Sequence, residues 1–76
     1  MIFPMYVSDV MEKLKDNNTC ISIVGPNTTD FQEGDKYLLT KWQKDKILEK
    51  WGDCLVKAIW IEYVYHFLVI QVSMVV

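Results

Sequence analysis

The chain has 76 residues, which supports one domain near the lower size limit for a self-sufficient core. Hydrophobic residues make up 51% of it, and this excludes a disordered chain. The formal charge is −2 and all eight basic residues are lysine, so the chain offers nucleic acid neither a strong positive field nor the planar fork of arginine.

The N-terminal ten residues have no positive region followed by a long apolar stretch, so we expect no signal peptide and a cytoplasmic (intracellular) protein. Thiols in that compartment stay reduced. Cys20 and Cys54 are therefore expected to pack as small hydrophobes, with a disulfide between them as the alternative.

An early helix is indicated after Ser8, a good N-cap residue. Its apolar stripe has helical spacing and consists of Val7, Val10, Met11 and Leu14. Asn17-Asn18 is a plausible stop, and the apolar lead Met1–Met5 can pair at a sheet edge, where Pro4 is tolerated.

Short strands and turns are predicted next. Thr19–Val24 reads as a strand, Gly25–Asp30 as a loop, Gly34-Asp35 as a turn and Lys36–Trp42 as a second strand. Ile47–Trp51 could extend a helix from Lys41 or be the return strand of a hairpin, and its imperfect helical spacing favours the strand or a mixed turn.

The C-terminal stretch Leu55–Val76 is the most apolar part of the chain and is rich in β-branched and aromatic residues. A membrane span is the alternative, but Lys57 and Glu62 interrupt the run. If polar residues face water, two sets point inward: Val56, Ala58 and Trp60 opposite Lys57, and Leu68, Ile70, Val72 and Met74 opposite Gln71 and Ser73. The change of phase near Glu62–His66 predicts two strands and a connection.

The outward positions of these two strands are also apolar, at Ile59, Ile61, Phe67 and Val69. The early helix is expected to cover this second face, but its stripe is too narrow to hide all of it. Tyrosine is enriched in interface hot spots. We therefore predict a self-associating or partner-binding surface centred on the aromatic residues Tyr63, Tyr65 and Phe67.

These elements predict a single α+β domain over residues 1–76, with one short N-terminal helix packed on a small curled antiparallel sheet or partial β-barrel.

The stretch Asp30–Trp42, DFQEGDKYLLTKW, resembles the ASCH branch of the PUA-like superfamily, in which an F-x-x-G-D turn precedes a strand. The matching residues are Phe31, Gly34, Asp35, Leu38, Leu39 and Trp42. The resemblance implies a small β-barrel with a packed helix, and binding of RNA or nucleotides. Ile21 and Ile23, however, stand where the signature strand has its Glu and Arg, so no functional residue carries over.

Other candidate chemistry is sparse. His66 could serve as a base for Cys20 or Cys54, but no motif places them together, and a structural histidine is favoured. The carboxylates of Asp30, Glu33 and Asp35 could hold a hard cation, but solvated acids around an Asx-type turn are favoured. No catalytic residue, metal or cofactor is predicted.

Lysines interleaved with an aromatic residue give a possible nucleic-acid surface. Its members are Lys41, Trp42, Lys44, Lys46 and Lys50. The leading hypothesis is a small non-enzymatic interaction protein, of the kind that phages use as inhibitors, which binds and occludes a protein partner. An RNA- or DNA-binding PUA-like module is the second hypothesis, and a nucleotide-acting enzyme is the third.

Overall fold

The structure is a computed structural model that describes residues 5–14 and 19–73. Two α-helices, a 3-10 helix and four strands follow one another in these residues. The elements are α1 (Val7–Lys13), β1 (Cys20–Val24), the 3-10 helix Phe31–Glu33, β2 (Asp35–Leu38), α2 (Lys41–Trp51), β3 (Val56–Glu62) and β4 (Phe67–Val72). The α+β class predicted from the sequence is confirmed.

The four strands form one open mixed sheet in the order β2-β1-β4-β3. The outer pairs β1–β2 and β3–β4 are antiparallel, whereas the central pair β1–β4 is parallel, with Cys20 beside Phe67 and Ile23 beside Ile70. The predicted sheet was wholly antiparallel, and this was wrong. The reason is that β1 and β4 are distant in sequence, so no local turn signal reveals how they pair.

One side of the sheet, the helix face, carries the main core. Ile21 and Ile23 of β1 and Ile70 and Val72 of β4 are buried there. Side chains of the helices and of the loops beside them complete the cluster: Val7, Val10, Met11, Leu39, Ile47, Trp51 and Cys54. The inward phase predicted for Leu68, Ile70 and Val72 is confirmed, with Leu68 at the margin of the cluster.

Helix α1 packs its predicted stripe into this core, but it begins earlier than predicted. Tyr6 precedes its first turn, and the Tyr6 amide donates to Asp9 Oδ2 at 2.9 Å. The amides of Val7 and Ser8 donate to the carbonyls of Cys54 and Gly52. Backbone carbonyls from the segment after α2 therefore satisfy the first N–H groups of α1, which have no acceptor within the helix.

Helix α2 corrects two predictions. The strand predicted over Lys36–Trp42 forms only as far as Leu38, in β2, and the strand or mixed turn favoured at Ile47–Trp51 is helical. Thr40 caps α2, because its Oγ1 accepts the Gln43 amide at 3.2 Å, and Ile47 and Trp51 are its buried residues. The protein thus has a second helix on the helix face.

The opposite side of the sheet, the loop face, is covered by the connection between β1 and β2. Ser22 Oγ donates to the Phe31 carbonyl at 2.6 Å, and the Phe31 ring lies 5.0 Å from that of Phe67. A Cβ at Gly34 would lie 2.5 Å from Ser22 Oγ, so only glycine lets this connection come so close to β1. The expectation that α1 covers this face was wrong.

Gln71 was expected to face water, and this too was wrong. The residue is buried on the loop face, because its side-chain amide is enclosed by the β1–β2 connection. Gln71 Nε2 donates to the carbonyl of Thr28 at 2.9 Å and lies 3.4 Å from that of Gly25. The polar group is thus buried without losing its hydrogen bonds.

A bulge between Val56 and Ala58 changes the side-chain phase of β3. Val56 lies opposite Val72 on the helix face, whereas Ala58 lies opposite Gln71 on the loop face. The prediction that Val56, Ala58 and Trp60 share one face was therefore wrong, since an inserted residue moves the following side chains to the other face.

Three predictions fall partly or wholly outside the described residues: the lead Met1–Met5 up to Pro4, the stop at Asn17-Asn18, and the inward phase of Met74. At the described end of the lead, the Met5 carbonyl accepts the Val56 amide at 2.7 Å. Across residues 5–14 and 19–73, no helix has the length and apolar character needed to cross a membrane.

Candidate functional site: the β3–β4 hairpin

The β3–β4 hairpin ends in a four-residue turn, Tyr63–His66, closed by the pair Glu62 and Phe67. The Glu62 carboxylate accepts the amide of Tyr65 at 2.7 Å and that of Val64 at 3.3 Å. His66 has φ 59°, the left-handed conformation that reverses the chain into β4. The hydrogen bonds to Glu62 and the left-handed backbone at His66 therefore stabilise the turn.

Three consecutive side chains on this turn are strongly exposed. Tyr63 is 78% exposed, Val64 74% and Tyr65 59%. We call these three residues the hairpin tip. Large apolar side chains grouped in one exposed place are typical of association surfaces.

Phe67, the third member of the predicted surface, has a different position. It is partly buried on the loop face, where its ring contacts Phe31, and Phe31 in turn lies 5.3 Å from the Tyr65 ring. The structure thus places Tyr63 and Tyr65 on the tip and Phe67 beneath it. Phe67 supports the tip through Phe31 and Tyr65.

Ile59 and Ile61 continue the exposed apolar surface along β3. Both lie on the helix face, opposite Ile70 and Leu68, but at the outer edge of the sheet, and both are exposed. Val69 and Phe67, which were predicted to share their face, lie on the loop face, where Val69 is fully buried. The bulge at the start of β3 again accounts for this difference.

The predicted nucleic-acid residues all lie on α2, but the side chains of some of them donate to protein acceptors. Trp42 is 64% exposed, and Lys46 Nζ lies 3.8 Å from its ring centroid. Lys44 Nζ donates to the Leu14 carbonyl instead of pointing into solvent. Lys41 is exposed at the first turn of the helix.

Acidic residues share the exposed face of α2. Asp45 and Glu49 follow Trp42 by three and seven residues, which is the spacing of one helical face. Lys50 pairs with Asp35 of β2 at 2.5 Å, and this hydrogen bond raises the pKa of the Lys50 ammonium. The positive surface around Trp42 is therefore smaller than the sequence suggests.

The Lys50–Asp35 pair belongs to a polar network that ties α2 to β2. Tyr37 Oη donates to Asp35 Oδ2 at 3.4 Å and accepts Trp51 Nε1 at 3.1 Å. The Trp51 ring can therefore be buried in the core while its N–H stays satisfied. We assign this network to fold stability.

The candidate catalytic and metal residues are placed apart. Cys54 is buried in the core, whereas His66 is exposed on the turn. Cys20 lies beside Phe67 in the sheet, and Phe67 directly follows His66 in the sequence. Among the described residues, no hydrogen bond joins Cys20 to His66. Both cysteines are free thiols.

Asp30, one of the three predicted carboxylates, caps the 3-10 helix by accepting the Gln32 amide at 2.9 Å. Within residues 5–14 and 19–73, no three His, Cys, Asp or Glu side chains gather closely enough to bind a metal, and no pocket forms.

Sequence reasoning missed Val64 and Glu62 as members of the hairpin site. The signal for Glu62 was its position just before the turn, since a carboxylate there can accept amides two and three residues later. The assembled site offers apolar and phenolic contacts on a fixed turn beside an open strand, which suits binding by surface burial. No protein-family model matches the chain, and neither does any curated protein or solved structure.

Proposed function

We propose that this protein is a small non-enzymatic interaction module that binds a protein partner through the hairpin tip and occludes the partner's surface. This mode of action would suit a phage-type inhibitor. The observation that supports it is the exposure of Tyr63, Val64 and Tyr65 side by side on one turn.

The rigidity of the turn strengthens this proposal. The two hydrogen bonds to Glu62 and the tilted contact between the Tyr65 and Phe31 rings restrain the tip in the absence of a partner. A surface ordered in advance loses less entropy on binding. Tyrosine also combines a large apolar ring with a hydroxyl group, and both can contact a partner.

The test is affinity capture from an extract of the source cells, followed by mass spectrometry and a binding measurement with the purified partner. The test variant carries Tyr63→Ser and Tyr65→Ser. Trp42→Ser is the matched control, because Trp42 is an aromatic residue of similar exposure on a different element, helix α2.

We expect the tip variant to lose at least about tenfold in affinity, as is usual for hot-spot tyrosines, while Trp42→Ser keeps it. Circular dichroism must show that both variants are folded. A tip variant that binds the partner as tightly as the wild type would refute the proposal.

Nucleic-acid binding through α2 is the second candidate function, in line with the resemblance to the PUA-like superfamily. The exposed Trp42 ring with Lys46 beside it favours this alternative, since bases stack on such rings. An electrophoretic shift with single-stranded RNA that is lost in Trp42→Ser, but not in the tip variant, would support it.

A further inference from the structure

We propose that the protein forms a two-fold symmetric dimer in which β3 pairs antiparallel with β3 of a second copy, in a register centred on Trp60. The dimer would hold one continuous eight-stranded sheet. This goes beyond the proposed function, because it uses the outer edge of β3 and not the exposed side chains of Val64 and Tyr65 on the hairpin tip.

Within residues 5–14 and 19–73, the outer edge of β3 has partners at its start. The Val56 amide donates to the Met5 carbonyl at 2.7 Å, the Val7 amide donates to the Cys54 carbonyl at 2.9 Å, and Tyr6 forms a bridge with Leu55. From residue 57 to the turn at residue 63, no described strand lies on this side. Unpaired N–H and C=O groups at such an edge invite a further strand.

The two edges of the sheet differ in how they are protected. β2 is four residues long and carries Asp35 and Lys36, which are charges of the kind that discourage pairing. β3 is seven residues long, and its middle, Ala58–Ile61, carries no charge and no proline. Between the bulge at its start and Glu62 at its end, the middle of the β3 edge therefore lacks the usual protection against another strand.

The sequence of this edge matches itself under a two-fold axis. An axis perpendicular to the sheet keeps each residue on its own face, so facing residues must be an even number of positions apart. With Trp60 at the axis, Ile59 faces Ile61 of the second copy, and Ile61 faces its Ile59. The four isoleucines then cover one another on the helix face, where they are now exposed.

Charge favours the same arrangement. The free edge carries Lys57 at its beginning and Glu62 at its end. Antiparallel pairing places the lysine end of each strand near the glutamate end of the other, whereas parallel pairing would bring like charges together. A second copy therefore complements this edge in both shape and charge.

The first test is sedimentation over a range of concentrations. We compare the wild type with Ile61→Lys, which places a charge in the contact, and with Leu38→Lys on β2. Leu38 is the control, because it is an exposed aliphatic residue on the other edge strand, with 43% exposure against 54% for Ile61.

We expect a concentration-dependent dimer that Ile61→Lys weakens at least about tenfold, while Leu38→Lys leaves the dissociation constant unchanged. A wild type that is monomeric throughout would overturn the proposal. A dimer lost equally in both variants, or only in Leu38→Lys, would overturn it as well.

The second test needs no variant. Hydrogen exchange of the outward amides of residues 57–62 should slow as the concentration of the wild type rises, while exchange in β2 should not change. Protection of these amides that is independent of concentration would show that another part of the chain occupies the edge, and would overturn the proposal. Partner capture by the folded Ile61→Lys variant separates the two proposals, because this variant disrupts the dimer contact but keeps the tip residues Tyr63, Val64 and Tyr65.

Discussion

Gln71 and Thr28 are joined across the loop face by a hydrogen bond of 2.9 Å, from the side-chain amide of Gln71 to the backbone carbonyl of Thr28. The donor lies on β4 and the acceptor in the connection between β1 and β2. This bond therefore fastens to the sheet a segment that has no regular structure before its 3-10 helix. The same segment brings Phe31 against Phe67 and so supports the hairpin tip.

Gln71→Leu should lower the free energy of unfolding by about 1–3 kcal/mol, because it removes a buried donor and leaves the carbonyls of the connection without their partner. Urea denaturation measures this. Ser73→Ala is the control, since the Ser73 hydroxyl is exposed and lies 3.4 Å from its acceptor, and it should change stability by less than about 0.5 kcal/mol. Equal stability of the two variants would contradict the role assigned to Gln71.

Ile70→Ala should destabilise the protein by roughly 2–5 kcal/mol, because Ile70 is fully buried in the core and its truncation leaves a cavity. Ile61→Ala, on the same face but at the exposed edge, should cost less than about 1 kcal/mol. The midpoint of chemical denaturation gives both values. An unchanged midpoint for Ile70→Ala would mean that β4 is not part of the core.

His66→Val should cost about 1–2 kcal/mol, because a β-branched residue does not tolerate the left-handed backbone at φ 59°. His66→Gly should instead leave the protein as stable or raise the free energy of unfolding by up to about 1 kcal/mol. Thermal unfolding of both variants tests this. If valine and glycine give the same melting temperature, the turn has a different backbone.

The Lys50 ammonium should titrate at a higher pH in the wild type than in Asp35→Asn, because the hydrogen bond to Asp35 raises its pKa. A raised folded-state pKa stabilises the fold fully below the unfolded-state value of about 10.4, and this contribution disappears as the pH rises through the folded pKa. NMR titration of the Lys50 side chain measures the pKa directly. Identical titration curves would show that the pair does not form in solution.

Generic RNA or DNA should bind no more tightly than about micromolar at physiological salt, since an acidic chain without arginine releases few counterions. Two of the five α2 candidates, Lys44 and Lys50, already contact protein acceptors. An electrophoretic shift at nanomolar protein would contradict this prediction and favour the α2 surface over the hairpin tip.

The sequence predicted the elements whose side-chain period is clear. The stripe of α1 and the phase of Leu68, Ile70 and Val72 hold, because each reports burial of one face. The strand predicted at Thr19–Val24 also forms, as β1, although it is buried on both faces. A helix from Lys41 was only the less favoured alternative for the α2 segment, because Trp42 is exposed and interrupts the helical spacing of its apolar residues. A capping signal was nevertheless present, with Thr40 three residues before Gln43.

The candidate site was predictable only in part. The exposed aromatic turn followed from Tyr63 and Tyr65, because the change of phase placed a connection there. The bulge that sends Ile59 and Ile61 to the helix face has no signature in the residues around Lys57. Whether an apolar residue near the end of a strand is covered depends on neighbours that are distant in sequence, and one chain does not reveal them.

The parallel pairing of β1 with β4 also affects how quickly this protein can fold. The two central strands meet only after a loop containing β2, α2 and β3 has closed, so the core depends on contacts between distant parts of the sequence. Contacts of this kind slow folding, since the entropy of loop closure is lost before burial compensates for it. Until β4 is in place, the side chains of Ile21 and Ile23 lack the Ile70 and Val72 side chains that share their core. Chaperone binding and aggregation of newly made chains would therefore act on β1 first.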